Sequence, residues 1–165
     1  MTKVRQRRAA RVVLLSDDGR VLLFRYAWRY RDRDENRGRA HWVAPGGGMR
    51  PGETYRDTAR RELAEETGIA VDEVGPLLWT RRVQFLWGGT WIVHHERFYL
   101  VRVHEAVLGP GLEAAHEADG ILGSHWWSAD EMDAADDIVY PTRLASLLRD
   151  LLADGPPDVP LRLGV

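Results

Sequence analysis

The chain has no cysteine among its 165 residues. This absence excludes disulfides and thiolate metal sites, and it is typical of proteins of the reducing cytoplasm, where we expect this one. The basic start of the chain is followed by the apolar run Val12–Leu15, which is too short for a signal-peptide core or a membrane span. We therefore expect no membrane attachment.

The chain also lacks a strong charge of either sign, because its formal net charge is −2. A near-neutral balance argues against a protein that coats nucleic acid, so we expect no stable nucleic-acid complex. The composition, 44% hydrophobic and 29% charged, is that of a globular protein of one domain, residues 1–165. Residues 155–165 are expected to be a tail that wraps around the domain or frays, and its first part, Gly155-Pro156-Pro157-Asp158, is predicted to have little structure. The sequence leaves a homodimer open.

One charged stretch stands out from this balanced composition. Between Arg29 and Arg39, five arginines alternate with three acidic residues, which predicts an exposed loop. A solvated loop is the favoured interpretation, and an anion-binding loop is the alternative. The arginines are Arg29, Arg31, Arg33, Arg37 and Arg39.

Short strands and two helices alternate along the chain, which indicates an α/β fold. The predicted strands are Arg11–Leu15, Arg20–Tyr26, His41–Ala44, Leu77–Phe85, Trp91–Val103 and His125–Ser128. The predicted helices are Thr54–Thr67 and Pro141–Ala153, and residues 105–123 are predicted as a loop. Thr54 is an expected N-cap with Asp57 completing a near capping box, and Gly68 is placed where a left-handed C-cap belongs.

The first predicted helix carries three glutamates, Glu62, Glu65 and Glu66. At 100° per residue they fall within an arc of roughly 100°, so three like charges share one face. Mg²⁺ would offset their repulsion, because it binds oxygen ligands and leaves other positions to water and substrate phosphates. The alternative is a solvated acidic face balanced by neighbouring arginines.

Three glycines, Gly46–Gly48, precede this helix. Glycine lets a backbone approach a ligand closely and turn its carbonyl or amide groups toward that ligand. The order of strand, glycine loop and acidic helix therefore predicts a binding site between the loop and the helix.

Residues 47–69, GGMRPGETYRDTARRELAEETGI, resemble the Nudix box G-x5-E-x7-R-E-U-x-E-E-x-G-U, in which U is aliphatic. The matching positions are Gly47, Glu53, Arg61, Glu62, Leu63, Glu65, Glu66, Gly68 and Ile69. Similarity to the Nudix (MutT-like) hydrolases implies an α/β/α sandwich around a mixed β-sheet. It also implies Mg²⁺-dependent hydrolysis of a phosphoanhydride bond, with Mn²⁺ as a possible substitute.

The resemblance also implies roles for single residues. Glu65 and Glu66 would be the principal Mg²⁺ ligands, and the carbonyl of Gly46 would be a further one. Glu62 would be either the general base or another ligand. The family pair that braces the helix corresponds to Arg61 and Glu53.

Members of the family often add one acidic residue from a downstream loop. This chain offers Glu96, Glu113, Glu117 and Asp119, and Glu117 is the preferred candidate because the stretch around it resembles the family's downstream loop. A plain loop carboxylate is the alternative for Glu117.

The seven tryptophans are expected mainly in the core, and His41, His94 and His95 are expected at strand surfaces or against substrate, since they lack a third spaced zinc ligand.

The resemblance specifies a reaction and leaves the substrate open. A nucleoside diphosphate linked to another group is implied, which covers nucleotides, nucleotide sugars and dinucleoside polyphosphates. The alternative is a Nudix-like domain that senses a nucleotide or binds a protein without turnover. Because such domains commonly lose box glutamates and this chain keeps them, hydrolysis is favoured.

Overall fold

The computed structural model describes residues 4–27, 40–87 and 89–164. The strands in this part of the chain are β1 (Val4–Ser16), β2 (Val21–Ala27), β3 (Ala40–Val43), β4 (Gly46–Gly48), β5 (Leu77–Trp87), β6 (Thr90–Val103), β7 (Ile121–Trp127), β8 (Ile138–Tyr140) and β9 (Leu161–Leu163). The helices are α1 (Tyr55–Thr67), α2 (Glu113–Asp119), α3 (Ala129–Ala134) and α4 (Leu144–Asp154). No helix in these ranges is long and apolar enough to cross a membrane.

The strands form one mixed sheet, in which β1 and β2 are separated along most of their length. The order is β8-β3-β2-β1-β6-β5-β9, with β4 paired to β1 and β7 paired to β2. β1 runs parallel to β6 over its whole length but pairs with β2 only at Leu15↔Val21. The glycine strand β4 fills part of the opening, because it pairs with residues 9–11 of β1. The gap between β1 and β2 therefore receives the glycine loop.

Both faces of the sheet are buried under helices. On one face, Val12 and Leu14 of β1 pack in a core with Ala59 and Leu63 of α1. On the other face, alternate residues of β1 pack against α4, whose leucines at positions 144, 147, 148 and 151 are buried. A strand that is apolar on both faces belongs at the centre of a three-layer structure. The predicted α/β/α sandwich around a mixed sheet is confirmed.

The predicted caps of α1 are present. The Thr54 side chain accepts a hydrogen bond from the Asp57 amide, the Asp57 carboxylate accepts one from the Thr54 amide, and Gly68 has φ 72°. Caps of this kind satisfy main-chain groups that the helix leaves unpaired at its ends. The start and end of the acidic helix are thus set by local sequence.

Two regions differ from the prediction. The expected loop of residues 105–123 contains α2 and the start of β7, and the expected tail of residues 155–165 contains β9, which runs parallel to β5 from Trp79↔Leu161 to Arg81↔Leu163. Both depend on partners far away in the chain, which local composition does not report. The predicted low-structure segment, residues 155–158, has no helix or strand, and the strand that follows it was not predicted.

The structure tests the prediction for the core tryptophans but not the one for the arginine-rich stretch. Trp79 and Trp42 are 2% and 9% exposed and belong to the core, as expected for tryptophan. The predicted loop of residues 29–39, with its five arginines, lies outside the described residues, as does Trp28.

Candidate active site

Gly46 links the glycine loop to α1. Its amide donates to Glu66 Oε2 at 2.7 Å, and its φ is 143°. A Cβ at this position would lie 2.1 Å from the carbonyl oxygen of Ala10. Only glycine fits here, because the strand β1 leaves no room for a side chain.

Gly47 makes room for the next carboxylate. A Cβ on Gly47 would lie 2.5 Å from Glu62 Oε1, so the side chain of Glu62 rests directly against the glycine backbone. Glu62 is 9% exposed and Glu66 is 2% exposed. The two carboxylates are therefore buried against consecutive glycines at the mouth of the opening in the sheet.

Arg61 and Glu53 form a bidentate ion pair. Arg61 Nε lies 2.6 Å from Glu53 Oε1, and Nη2 lies 3.0 Å from Glu53 Oε2. The same guanidinium donates to the Gly48 carbonyl at 3.0 Å and to Glu62 Oε1 at 2.7 Å. The hydrogen bond from Arg61 is the main cause that lowers the pKa of Glu53 to about 2. The pair has the geometry of the helix brace that the resemblance implies.

Glu65 differs from the other two box glutamates of α1. Its side chain is 42% exposed, and its oxygens lie 3.3 Å from Arg50 Nη2 and 3.2 Å from Arg61 Nη1. Glu65 therefore lies at the rim of the site, where two arginines balance its charge.

Glu66 has the most unusual electrostatic environment of the box residues. Burial raises its pKa to about 8, against the opposing effects of the Gly46 hydrogen bond and the charge of Arg11. Tyr26 Oη is 3.5 Å from Glu66 Oε1, and burial also raises the pKa of Tyr26. At neutral pH the buried carboxyl group thus lacks enough positive charge around it to stay ionised.

The donor set fits Mg²⁺ without forming a complete metal cage. In the described ranges, no three acidic, histidine or cysteine side chains are arranged to hold a metal by themselves. Mg²⁺ usually takes one or two protein carboxylates and fills its other positions with water and substrate phosphates. Glu66, Glu62 and the Gly46 carbonyl are hard oxygen donors of this kind, and a cation would relieve the cost of ionising Glu66. Glu62 and Glu66 thus contact adjacent glycines of the loop while Glu65 lies at the rim, and the metal-binding roles of all three stay predictions.

Helix α2 brings a further carboxylate toward the site. His116 Nε2 lies 2.6 Å from the Glu66 carbonyl oxygen, which anchors α2 to the end of α1. The charge of Asp119 raises the pKa values of both Glu66 and Tyr26. Glu117, the candidate preferred from the sequence, and Asp119 are both exposed on this helix. Asp119 is thus the acid of α2 whose charge acts on Glu66, and the role of Glu117 stays a prediction.

Sequence reasoning missed the environment of Arg11. This arginine donates to Glu96 Oε1, and Glu96 Oε2 accepts from Arg81. Glu96 is 5% exposed. The alternation of β1 was the available signal, since Arg11 occupies the same face as the buried Val13 and Leu15. A charged residue at an inward position calls for a buried partner.

The three histidines of interest lie on strands. His41 stacks on Tyr26 with ring centroids 5.7 Å apart. His95 Nε2 lies 2.7 Å from Gln6 Oε1, and burial lowers the pKa of His94 to about 4. A neutral His94 at physiological pH can donate and accept hydrogen bonds but contributes no positive charge.

Comparisons with known proteins agree with the geometry. A family model described as NUDIX domain matches residues 5–148. The protein named Uncharacterized Nudix hydrolase orf19 from Rhodococcus erythropolis is 32% identical over 126 residues, which cover 76% of this chain and 65% of that protein. The chain thus spans just under two thirds of that relative's length.

Two further similarities concern proteins whose names state an activity. RNA pyrophosphohydrolase from Erythrobacter litoralis is 29% identical over 139 residues, which cover 78% of this chain and 80% of that protein. The solved complex of a C. elegans Ap4A hydrolase has a TM-score of 0.54 at 20% identity, covering 89% of this chain and 96% of that chain. The second likeness supports the fold alone.

Proposed function

The chain belongs to the NUDIX domain family, and from this premise we propose that it hydrolyses a phosphoanhydride bond in a nucleoside diphosphate joined to another group, with Mg²⁺ as the cofactor. The observation that carries the proposal is the buried Glu66 carboxylate. It is held by the Gly46 amide and has a pKa of about 8. In the described part of the chain it forms no salt bridge, so a bound cation is the remaining way to keep it ionised.

The roles proposed for the neighbouring residues follow the resemblance to the family. Glu66, Glu65 and the carbonyl of Gly46 would hold Mg²⁺, and Glu62 would hold it or accept the proton of the attacking water. When bound, Mg²⁺ supplies charge that stabilises the phosphate oxygens and acidifies water. Arg61 keeps Glu62 against Gly47, since Arg61 is itself fixed by Glu53. In this proposal Glu53 and Arg61 would hold the base and the metal ligands in place.

The substrate is the open part of the proposal. The relative named RNA pyrophosphohydrolase justifies testing 5′-triphosphorylated RNA, beside the nucleotides, nucleotide sugars and dinucleoside polyphosphates that the sequence resemblance implies. The proposal therefore specifies the reaction class, and the assay determines which group is joined to the nucleoside diphosphate.

The test is a phosphate-release assay over that panel with Mg²⁺, with Mn²⁺ and with chelator. Glu65→Gln and Glu66→Gln should each lower turnover by about 10²-fold or more, because each removes charge stabilisation from the transition state. Glu73→Gln is the matched control, since Glu73 is exposed beyond the end of α1. It should turn over like the wild type.

Two results would count against this proposal. Activity that survives the chelator, or that survives Glu66→Gln in folded protein, would remove the metal mechanism. Nucleotide binding with no turnover on any member of the panel would favour the alternative of a non-catalytic sensing domain.

Cellular location and assembly stay predictions from the sequence. We expect the protein in the cytoplasm, as its lack of cysteine suggests. We expect a small-molecule substrate rather than a stable nucleic-acid partner. A measurement of the molecular mass in solution would show whether the chain forms a homodimer.

A further inference from the structure

One guanidinium group holds the glycine loop from the side of β1. Arg11 Nη1 donates to the carbonyls of Ala44 at 3.2 Å and Gly46 at 3.1 Å. The main-chain amide of Val12 donates to the carbonyl between them, that of Pro45, at 2.8 Å. Three consecutive carbonyls that enter the glycine strand are therefore fixed by two adjacent residues of β1.

The same loop is fixed on its other side by α1. The Gly46 amide donates to Glu66 at 2.7 Å while the Gly46 carbonyl accepts from Arg11. Since a carbonyl oxygen has two acceptor sites, the bond from Arg11 leaves one site for a cation. Gly46 therefore contacts Arg11 through its carbonyl and Glu66 through its amide.

Glu96 keeps Arg11 in place. Arg11 Nε lies 3.2 Å from Glu96 Oε1, and Arg81 Nη1 lies 3.1 Å from Glu96 Oε2. The side chains of Arg11 and Glu96 are only 16% and 6% exposed. A buried arginine with a fixed carboxylate partner loses little freedom when its planar fork binds further acceptors. Arg11 is therefore held in one orientation before any ligand arrives.

We propose that Arg11, anchored by Glu96, is a positioning residue that orients the Gly46 carbonyl and amide for the divalent cation. This inference rests on the proposed function, because it concerns the same metal site. Arg11 need not touch the substrate. Residues that orient metal ligands typically change metal affinity by about 10–100-fold when they are replaced.

A positioning role of Arg11 and a pure charge effect predict opposite changes in metal affinity when Arg11 is replaced. At a pH where Glu66 is ionised, the positive charge of Arg11, whose Nη1 lies 3.1 Å from the Gly46 carbonyl oxygen, repels a cation bound to that oxygen. If Arg11 acts only through its charge, removing that charge should tighten metal binding. If Arg11 positions the loop, removing it should weaken metal binding, since the Gly46 peptide loses its orientation.

The experiment measures Mn²⁺ affinity without substrate, by electron paramagnetic resonance of free Mn²⁺ and by calorimetry. Arg11→Met should weaken binding by about tenfold or more, and Arg11→Lys, which keeps the charge but loses the fork, should weaken it by about threefold or more. Arg81→Met is the matched control, because Arg81 binds the same Glu96 and, within the described ranges, makes no contact with the loop carbonyls. It should bind Mn²⁺ as well as, or better than, the wild type.

Each outcome decides the inference. Unchanged or tighter binding in folded Arg11→Met overturns it, and so does equal weakening in Arg81→Met. If Arg11→Met does not fold by circular dichroism, Arg11→Lys decides, since wild-type affinity in that variant overturns the positioning role. If the wild-type protein does not bind Mn²⁺, the proposed function is overturned as well. If the wild-type protein binds Mn²⁺ and the Arg11 variants bind it equally well, only the inference about Arg11 is overturned.

Discussion

Two glutamates of this protein are almost equally buried and have opposite electrostatic surroundings. Glu66 on α1 is 2% exposed, and Glu96 on β6 is 5% exposed. Burial raises the pKa of both, but for Glu96 the charges of Arg11 and Arg81 outweigh burial and lower its pKa, whereas Glu66 stays at about 8. The comparison teaches that burial alone does not define a metal ligand. A buried carboxylate with no cationic partner is the better candidate, because it gains most from a bound cation.

The largest expected effect on stability comes from replacing each glutamate by glutamine in metal-free protein. Glu96→Gln should lower the free energy of unfolding by about 3 kcal/mol, because it leaves two buried arginines without their counter-charge. Glu66→Gln should not lower it, since it removes a carboxyl group that is costly to ionise. Urea denaturation measures both, and a larger loss for Glu66→Gln would reverse the comparison.

A second prediction concerns pH and metal. The pKa of Glu66 is about 8 in the folded protein and near its ordinary value of 4.5 when the chain is unfolded. Between pH 4.5 and 8, Glu66 is protonated in the folded protein and ionised in the unfolded chain. The free energy of unfolding that Glu66 contributes is therefore largest below pH 4.5 and falls as the pH rises toward 8. The slope should approach roughly 1.4 kcal/mol per pH unit.

Saturating Mg²⁺ should remove this slope, because the bound cation keeps Glu66 ionised. Denaturation curves at several pH values, with chelator and with Mg²⁺, measure the difference. Glu66→Gln is the control, and its stability should show neither the slope nor its suppression. A wild-type slope that is the same with and without Mg²⁺ would show that the ion does not bind at Glu66.

The smallest expected effect concerns the acids of α2. Asp119→Asn should raise the Mg²⁺ concentration needed for half-maximal activity by about three- to tenfold, since the charge of Asp119 reaches Glu66. Glu117→Gln should have a smaller effect, because Asp119 and not Glu117 is among the main charges that raise the pKa of Glu66. A larger effect of Glu117→Gln in a metal titration would restore the sequence-based choice.

Much of the site was predictable because it is local in the chain. The spacing of Glu62, Glu65 and Glu66 places them on adjacent helical positions whatever the rest of the fold does. The cap residues Thr54 and Gly68 set the ends of that helix through contacts within a few residues. The pairing of Arg61 with Glu53 follows the same rule, since both belong to the helix and its entry.

Other features required the folded chain. The sequence indicates a carboxylate at position 66 but not that the Gly46 amide meets it, because that contact joins a loop to the last turn of a helix. The pairing of Arg11 with Glu96 spans 85 residues, and α2 is placed by His116 against the end of α1. The strand β9 likewise exists only because β5 offers it an open edge.

The sequence by itself determined the acidic helix, its caps and its glycine entry, because helical periodicity and glycine geometry act over a few residues. Only the tertiary structure decided which carboxylate is left without a counter-charge. That property depends on which cations are brought near by distant strands, and burial strengthens every such charge interaction.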